Sequence, residues 1–269
     1  MKRLLNIALD NAVALGVVVI VLFLIIPLPT FLLDFLLIVN IGLAIMILMI
    51  TMNISEALEF SIFPSLLLVT TLFRLGLNVS STRMILRDGY AGEVIQNFGQ
   101  LITGGNIVIG VVIFLIIVLV QFIVITKGAE RVAEVAARFT LDAMPGKQMA
   151  IDADLSSGLI NEQEARARRQ KIQKEADFYG AMDGATKIVK GDAVMSIVIT
   201  LINFVGGVII GMVMGGGDFA TVLQTYSIVT IGDGLVSQLP ALMISTATGM
   251  VVTRSVSEGS LNRDVIAQF

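Results

Sequence analysis

The residues best placed to do chemistry are acids set in apolar sequence. Asp233 stands in Ile231-Gly-Asp-Gly-Leu235 and Asp192 in Lys190-Gly-Asp-Ala193, while Asp34, Asn40, Arg74, Asn78 and Asn203 lie in or beside other apolar stretches. A charge in mid-bilayer costs about 2.5–3.5 kcal/mol on insertion scales, so it normally faces a partner, a cavity or an ion path. The 269 residues include no His and no Cys. Disulfides, thiolate chemistry and most transition-metal sites are thereby disfavoured, and any proton handling falls to carboxylates. Glycines on both sides of Asp233, with Pro240 close by, permit an unwound or kinked backbone. Acids at such breaks recur at the ion sites of transporters. Asp192 reads equally as an ion-coupling group or as an interfacial acid, and Asp34 as a span-end acid reaching interfacial water. Asp152-x-Asp154 could hold a cation, but two acids on an exposed loop are more often solvated. No nucleophile–base pair or metal cluster points to an enzyme, and no cofactor motif is present.

The elements that must position these groups are membrane spans. Hydrophobic residues make up 56% of the chain and charged residues 14%, against roughly 45–50% and 25% in soluble domains. The mean hydropathy is +0.91. A net charge of −3 gives no reason to expect a nucleic-acid partner. Met1-Lys-Arg could open a signal peptide, but Asp10 interrupts early and no small-residue cleavage site follows, so a retained first span is expected. Five segments read as spans: Ala12–Ile26, Phe31–Met52, Ile107–Ile125, Ala193–Met214 and Tyr226–Val252. The insert Lys127–Asp192 holds 11 of the 18 Lys and Arg and 11 of the 21 Asp and Glu, so it is aqueous. Lys2, Arg3 and the basic residues of the insert place both on the cytoplasmic side. An even number of crossings must then precede Lys127, so Phe60–Val79 is expected to cross, tilted or broken at Pro64. The expected fold is all-α: a polytopic bundle of about six spans with a small helical cytoplasmic insert. Residues 1–126 carry the first four spans, 127–192 the insert, 193–253 the last two spans and 254–269 a cytoplasmic tail.

Within the insert, Ala129–Leu141 reads as a helix supported by Glu134 and Arg138, followed by a turn at Pro145-Gly146. Asn161-x-x-Glu164 resembles a capping box opening a helix to about Tyr179, with Glu162–Arg166 and Glu164–Arg168 pairs along it. Gly180 and Gly184 are expected to loosen the chain before the next span. Basic and acidic residues balance, which argues against a polybasic lipid switch. In the fifth span, Gly207-x-x-x-Gly211-x-x-x-Gly215 suits close helix approach, within one subunit or between subunits.

Several stretches carry a resemblance. Phe73-Arg-Leu-Gly-Leu-Asn-Val-Ser-Ser-Thr-Arg83, the run Lys127–Lys147, Asp152-Ala-Asp154, Asp177–Ala185, Lys190-Gly-Asp192 and Asp233–Ala241 together resemble the flagellar/virulence type III export-gate family. The matches are long and ungapped, spread from about Phe60 to Val252, and specific. The resemblance implies a bacterial inner-membrane component that forms a homo-oligomeric ring with other export-gate membrane proteins. It further implies coupling of the proton-motive force to export of unfolded substrates, with the flagellar system favoured over the injectisome. On that basis Asp192, Asp233, Asp142 and Lys187 are the ion-coupling candidates. Arg131, Arg138 and Asp183 join the insert or inter-subunit network, and Arg74, Asn78 and Arg83 belong to the signature segment. Family members continue into further spans and a large cytoplasmic domain that docks chaperone–substrate complexes. Such docking is therefore not expected of these residues. Two other readings stay open: an ion-coupled transporter of small solutes, which should show paired broken helices, and a passive ring scaffold.

Overall fold

A computed structural model describes residues 11–123, 130–214 and 218–254, and among them all regular structure is helical. The chain forms α1 (Ala12–Ile25), α2 (Thr30–Asn53), a 3₁₀ turn (Ala57–Phe60), α3 (Phe63–Asp88), α4 (Glu93–Thr103) and α5 (Ile107–Ile123). Three longer helices follow: α6 (Glu130–Ser156), α7 (Glu162–Met214) and α8 (Phe219–Val252). Pro27 and Pro29 separate α1 from α2, because proline cannot continue a helix but fits just before or inside a new one. Gly89 (φ 65°) closes α3 with its N–H on the Ile85 carbonyl. That left-handed cap would strain any residue with a Cβ.

Among the described residues four helices, α2, α3, α7 and α8, are long and apolar enough to cross a membrane. Helices α4 and α5 form a pair bent by 102° that can serve as a fifth crossing, and α1 is a shorter apolar helix. Against the six expected crossings, the described residues thus supply four or five helices long enough to cross, with α1 the shorter sixth segment. Pro64 does not break the third: it sits in the first turn of α3, where its missing N–H has no helical partner to lose. Helix α4, for which the sequence pattern gives no expectation, packs closely along α8. An added Cβ on Gly99 or Gly232 would overlap the Ile228 or Ile95 carbonyl on the facing helix, so only glycine allows this approach.

Helices α3 and α8 are central and largely buried, while α2, α5 and the C-terminal half of α7 turn apolar side chains outward. Two apolar clusters hold the bundle. One gathers Ile47, Phe63, Leu67, Met182, Val189 and Ile244 toward the insert, the other Leu33, Leu77, Ile85, Ile95, Val229 and Val236 toward the opposite end.

The insert differs from expectation in three places. Pro145 lies inside continuous α6, not in a turn. It is exposed, so water can satisfy the carbonyl that its ring frees. The helix opened at Asn161 does not end near Tyr179: α7 runs unbroken for 53 residues through Gly180, Gly184 and Asp192 into the membrane. Phe178, Met182, Ala185 and Val189 line its buried face in helical register, and that packing outweighs a glycine penalty of about 1 kcal/mol per residue. The expected Glu134–Arg138 and Glu164–Arg168 pairs are replaced by Arg131–Glu134 at 2.9 Å, Arg138–Asp142 at 3.8 Å and Arg168–Asp154 at 3.1 Å.

The capping box forms as expected. Asn161 Oδ1 accepts from the Glu164 N–H at 2.8 Å, and Glu164 Oε2 accepts from the Asn161 N–H at 3.1 Å. Glu162–Arg166 also pairs, at 2.7 Å. Asp152 and Asp154, considered above for a cation, are held by Arg169 and Arg168, which fasten α6 to α7. Lys147–Glu175 at 2.9 Å adds a third clasp. The insert is tied to the bundle at the turn after α2, where Lys171 meets Glu56 at 3.0 Å; the end of α8 reaches the same turn, Arg254 donating to the Ser55 carbonyl at 3.2 Å. The hydrogen bond that Lys171 donates to Glu56 holds its ammonium above its usual value.

Candidate functional site

Three helices each bring a buried polar stripe at helical spacing to one seam. Arg74, Asn78 and Ser81 come from α3, Asp192, Ser196, Thr200 and Asn203 from α7, and Asp233 and Ser237 from α8. Steps of three and four residues keep each set on one helix face. The facing glycines and small hydroxyl residues let the backbones close around them.

The seam has two acid centres. Arg74 Nη2 lies 2.9 Å from Asp192 Oδ2, with both side chains 1% exposed. The same guanidinium donates to the Ser237 carbonyl at 3.4 Å, and Ser237 Oγ donates to Asn78 Oδ1 at 2.7 Å. At the second centre Asn203 Nδ2 donates to Asp233 Oδ2 at 2.9 Å. Several buried polar atoms have no hydrogen-bond partner among the described residues: Arg74 Nε and Nη1, Asn78 Nδ2, Asn203 Oδ1 and both amide atoms of Gln238. Buried polar groups are nearly always bonded. Such a cluster therefore marks a place where protons, water or an altered packing can exchange partners.

The predicted residues separate into two sets. Arg74, Asn78, Asp192 and Asp233 meet in the seam. Asp192 pairs with Arg74, while Lys187, the other ion-coupling candidate nearby, binds Asp183 one turn back at 2.7 Å. Arg131, Arg138 and Asp142 are exposed on α6 in local pairs, remote in sequence and setting from the buried acids. Arg83 caps α1 instead, donating to the Leu24 and Ile25 carbonyls at 3.0 Å each. A cation there satisfies the last carbonyls and complements the helix dipole.

The glycines around Asp233 do not unwind the chain, because α8 is continuous through Asp233 and Pro240. They are contact points instead: Gly232 admits the Ile95 carbonyl, and an added Cβ on Gly234 would stand 2.6 Å from the Phe114 ring. Gly207 and Gly211 likewise admit the Tyr226 ring of α8, so this part of the row serves packing within one chain. Gly215 lies outside the described residues. Asp34 does more than reach water: its carboxylate accepts from the Glu93 and Val94 N–H groups at 2.9 and 3.0 Å, capping α4. Ser196, Thr200, Ser237 and Gln238 escaped the sequence reading. Their signal was present in the helical spacing of polar residues around Asp192 and Asp233.

The fold and seam define an α-helical, multi-span membrane protein with a charged helical insert and an ion-paired polar core. The FHIPEP family matches residues 20–269, and the chain belongs to that family. It is similar to the flagellar biosynthesis protein FlhA of Bacillus subtilis strain 168, 60% identical over 260 residues, covering 97% of this chain and 38% of the relative. FlhA of Salmonella typhimurium is 52% identical over 250 residues, covering 91% and 36%. The low calcium response locus protein D of Yersinia pestis is 51% identical over 265 residues, covering 96% and 38%. The chain thus spans well under half the length of these relatives. No solved structure matches it.

Proposed function

We propose that this chain is the membrane portion of a bacterial type III protein-export gate, of the flagellar kind. It assembles as a homo-oligomeric ring in the inner membrane with other gate proteins, its insert in the cytoplasm, and couples the proton-motive force to export. The observation that carries the coupling role is the pair of buried acid centres, Arg74–Asp192 and Asn203–Asp233, each of which includes a residue of α7, the helix that runs from the insert into the membrane. A protonated carboxyl gains a donor that the carboxylate lacks. Proton uptake at Asp192 weakens its hold on Arg74, and uptake at Asp233 lets it donate to the unpartnered Asn203 Oδ1. Either change shifts α7 against α3 or α8, a local charge event biasing a two-state element. Arg131, Arg138, Asp142, Asp183 and Lys187 act in this reading on the exposed insert, between subunits. Names of both flagellar and low-calcium-response relatives are compatible with export, and the higher identity to a flagellar protein favours the flagellar system.

The test is Asp192→Asn and Asp233→Asn in the full-length protein, with secretion measured in cells. Export should fall severely for each. Normal secretion by both variants would make the acids structural and the coupling reading wrong.

A further inference from the structure

We infer that α5 is a two-position lid over the Asn203–Asp233 centre, pivoting at Gly104-Gly105. This assigns regulation to the site proposed above, and its purpose rests on that reading. The lid itself rests on four observations of packing.

First, α4 is anchored. Asp34 caps its first turn, and Gly99 and Gly232 lock its backbone against α8. Second, the corner after α4 carries two consecutive glycines at positive φ, Gly104 (51°) and Gly105 (81°), with open space around both. The glycines themselves oppose no change of angle, since glycine crosses between such backbone states freely; the contact across the corner is the Thr103 side chain resting on Gly110. Third, α5 is held beyond the corner by one apolar cluster, in which Val111, Ile117 and Val118 are only partly buried against Ile231 and Leu235. Phe114 is its one large buried side chain among the described residues, seated on Gly234 beside Asp233.

Fourth, α5 has room on both flanks. On one side a cavity of about 350 Å³ separates Val111 and Leu115 from Thr200, Leu201 and Thr230. On the other, about 250 Å³ lies between Ile117 and Val120 of α5 and Gln238 and Leu239 of α8. Both grooves open toward the outer face of the bundle, so neither flank of the helix is blocked by close packing. Thr200 and Thr230 each lie three residues before Asn203 and Asp233, so the floor of the larger cavity is one turn from the acid centre. The Thr230 hydroxyl and the Gln238 amide, both buried and without hydrogen-bond partners, lie beneath the helix on its two sides. Movement toward α7 fills the larger cavity and uncovers Gln238. Movement away opens the larger cavity toward Asn203 and Asp233.

The absence of cysteine allows site-specific labels. Spin labels at Leu119→Cys on α5 and Met46→Cys on α2, both outward-facing, report the lid in lipid nanodiscs. Met46→Cys with Met195→Cys on α7 is the fixed control. The expected result is two distances for the α5 pair, about 5 Å apart, roughly half of an interhelical spacing of 8–10 Å, against one distance for the control. A Val111→Phe substitution, filling the larger cavity, should leave one. A single narrow α5 distance equal in width to the control overturns the lid.

In the full-length protein, joining Ile117→Cys to Leu239→Cys with a reducible thiol reagent should stop export, with recovery on reduction. Undiminished export with complete cross-linking overturns the access role. Two distances together with normal export by Asp233→Asn support the movement and remove only the coupling role it would serve.

Discussion

The Arg74–Asp192 pair allows a quantitative test. At 2.9 Å two unit charges attract by about 6 kcal/mol for an effective dielectric near 20. Desolvation of each ion takes back several kcal/mol. The pair is therefore close to neutral as a whole, while either half alone is a liability. Arg74→Met or Asp192→Leu should each destabilise the bundle by about 3–5 kcal/mol, because an uncompensated charge remains buried. The double variant Arg74→Met/Asp192→Leu, with no charge left, should recover most of that loss. The coupling between the two sites should then be about 3 kcal/mol or more, far outside the few tenths expected of independent positions. Equilibrium unfolding in mixed micelles or bicelles, read by helical circular dichroism, gives the four free energies of the cycle. If the two single losses simply add, the pair is not an energetic unit and the seam does not work as argued.

Two further outcomes follow from local geometry. Gly232→Ala and Gly99→Ala should each cost at the upper end of about 1–3 kcal/mol, since the obstructing atoms are backbone carbonyls that cannot turn aside. Gly16→Ala and Gly42→Ala, which meet nothing within 4 Å, should be tolerated, and thermal-stability ranking of the four variants checks this. Asp218 caps α8, and the hydrogen bonds from the Thr221 backbone and then its side chain hold its carboxyl below the ordinary value. A lowered folded-state value means that the stabilisation is present above the unfolded value, about 3.9, and is lost as the pH falls through the folded one. Protection of the Thr221 amide from hydrogen exchange should thus persist at pH 5 and fade in stronger acid, whereas Asp218→Ala should lack it throughout.

Much of the scaffold was legible because its signals are local. Prolines at Pro27 and Pro29 and the Asn161–Glu164 capping box act within one turn, and the apolar runs announce the spans directly. The pairing of Arg74 with Asp192 was not legible, since 118 positions separate them and nothing in either neighbourhood names the other. The glycines beside Asp233 misled for a related reason. Glycine permits both an unwound helix and a close approach, and only the carbonyl of Ile95 across the interface decides between them. Pro145 was read as a turn because its helix-breaking cost was weighed without the water that reaches its exposed face.

The length of α7 has a mechanical consequence. At 1.5 Å per residue its 53 residues make a strut about 80 Å long, and the stretch from Asp192 outward to Glu162 accounts for about 45 Å of it. The strut is clasped near Lys171 by the turn after α2 and bears on Arg74 at its membrane shoulder. A tilt of about 5° at that shoulder would carry the far tip through ~4 Å over the same 45 Å arm. A small change of angle at the membrane shoulder is thereby magnified to the size of a side chain at the outer end of the insert, provided the Lys171–Glu56 clasp gives way.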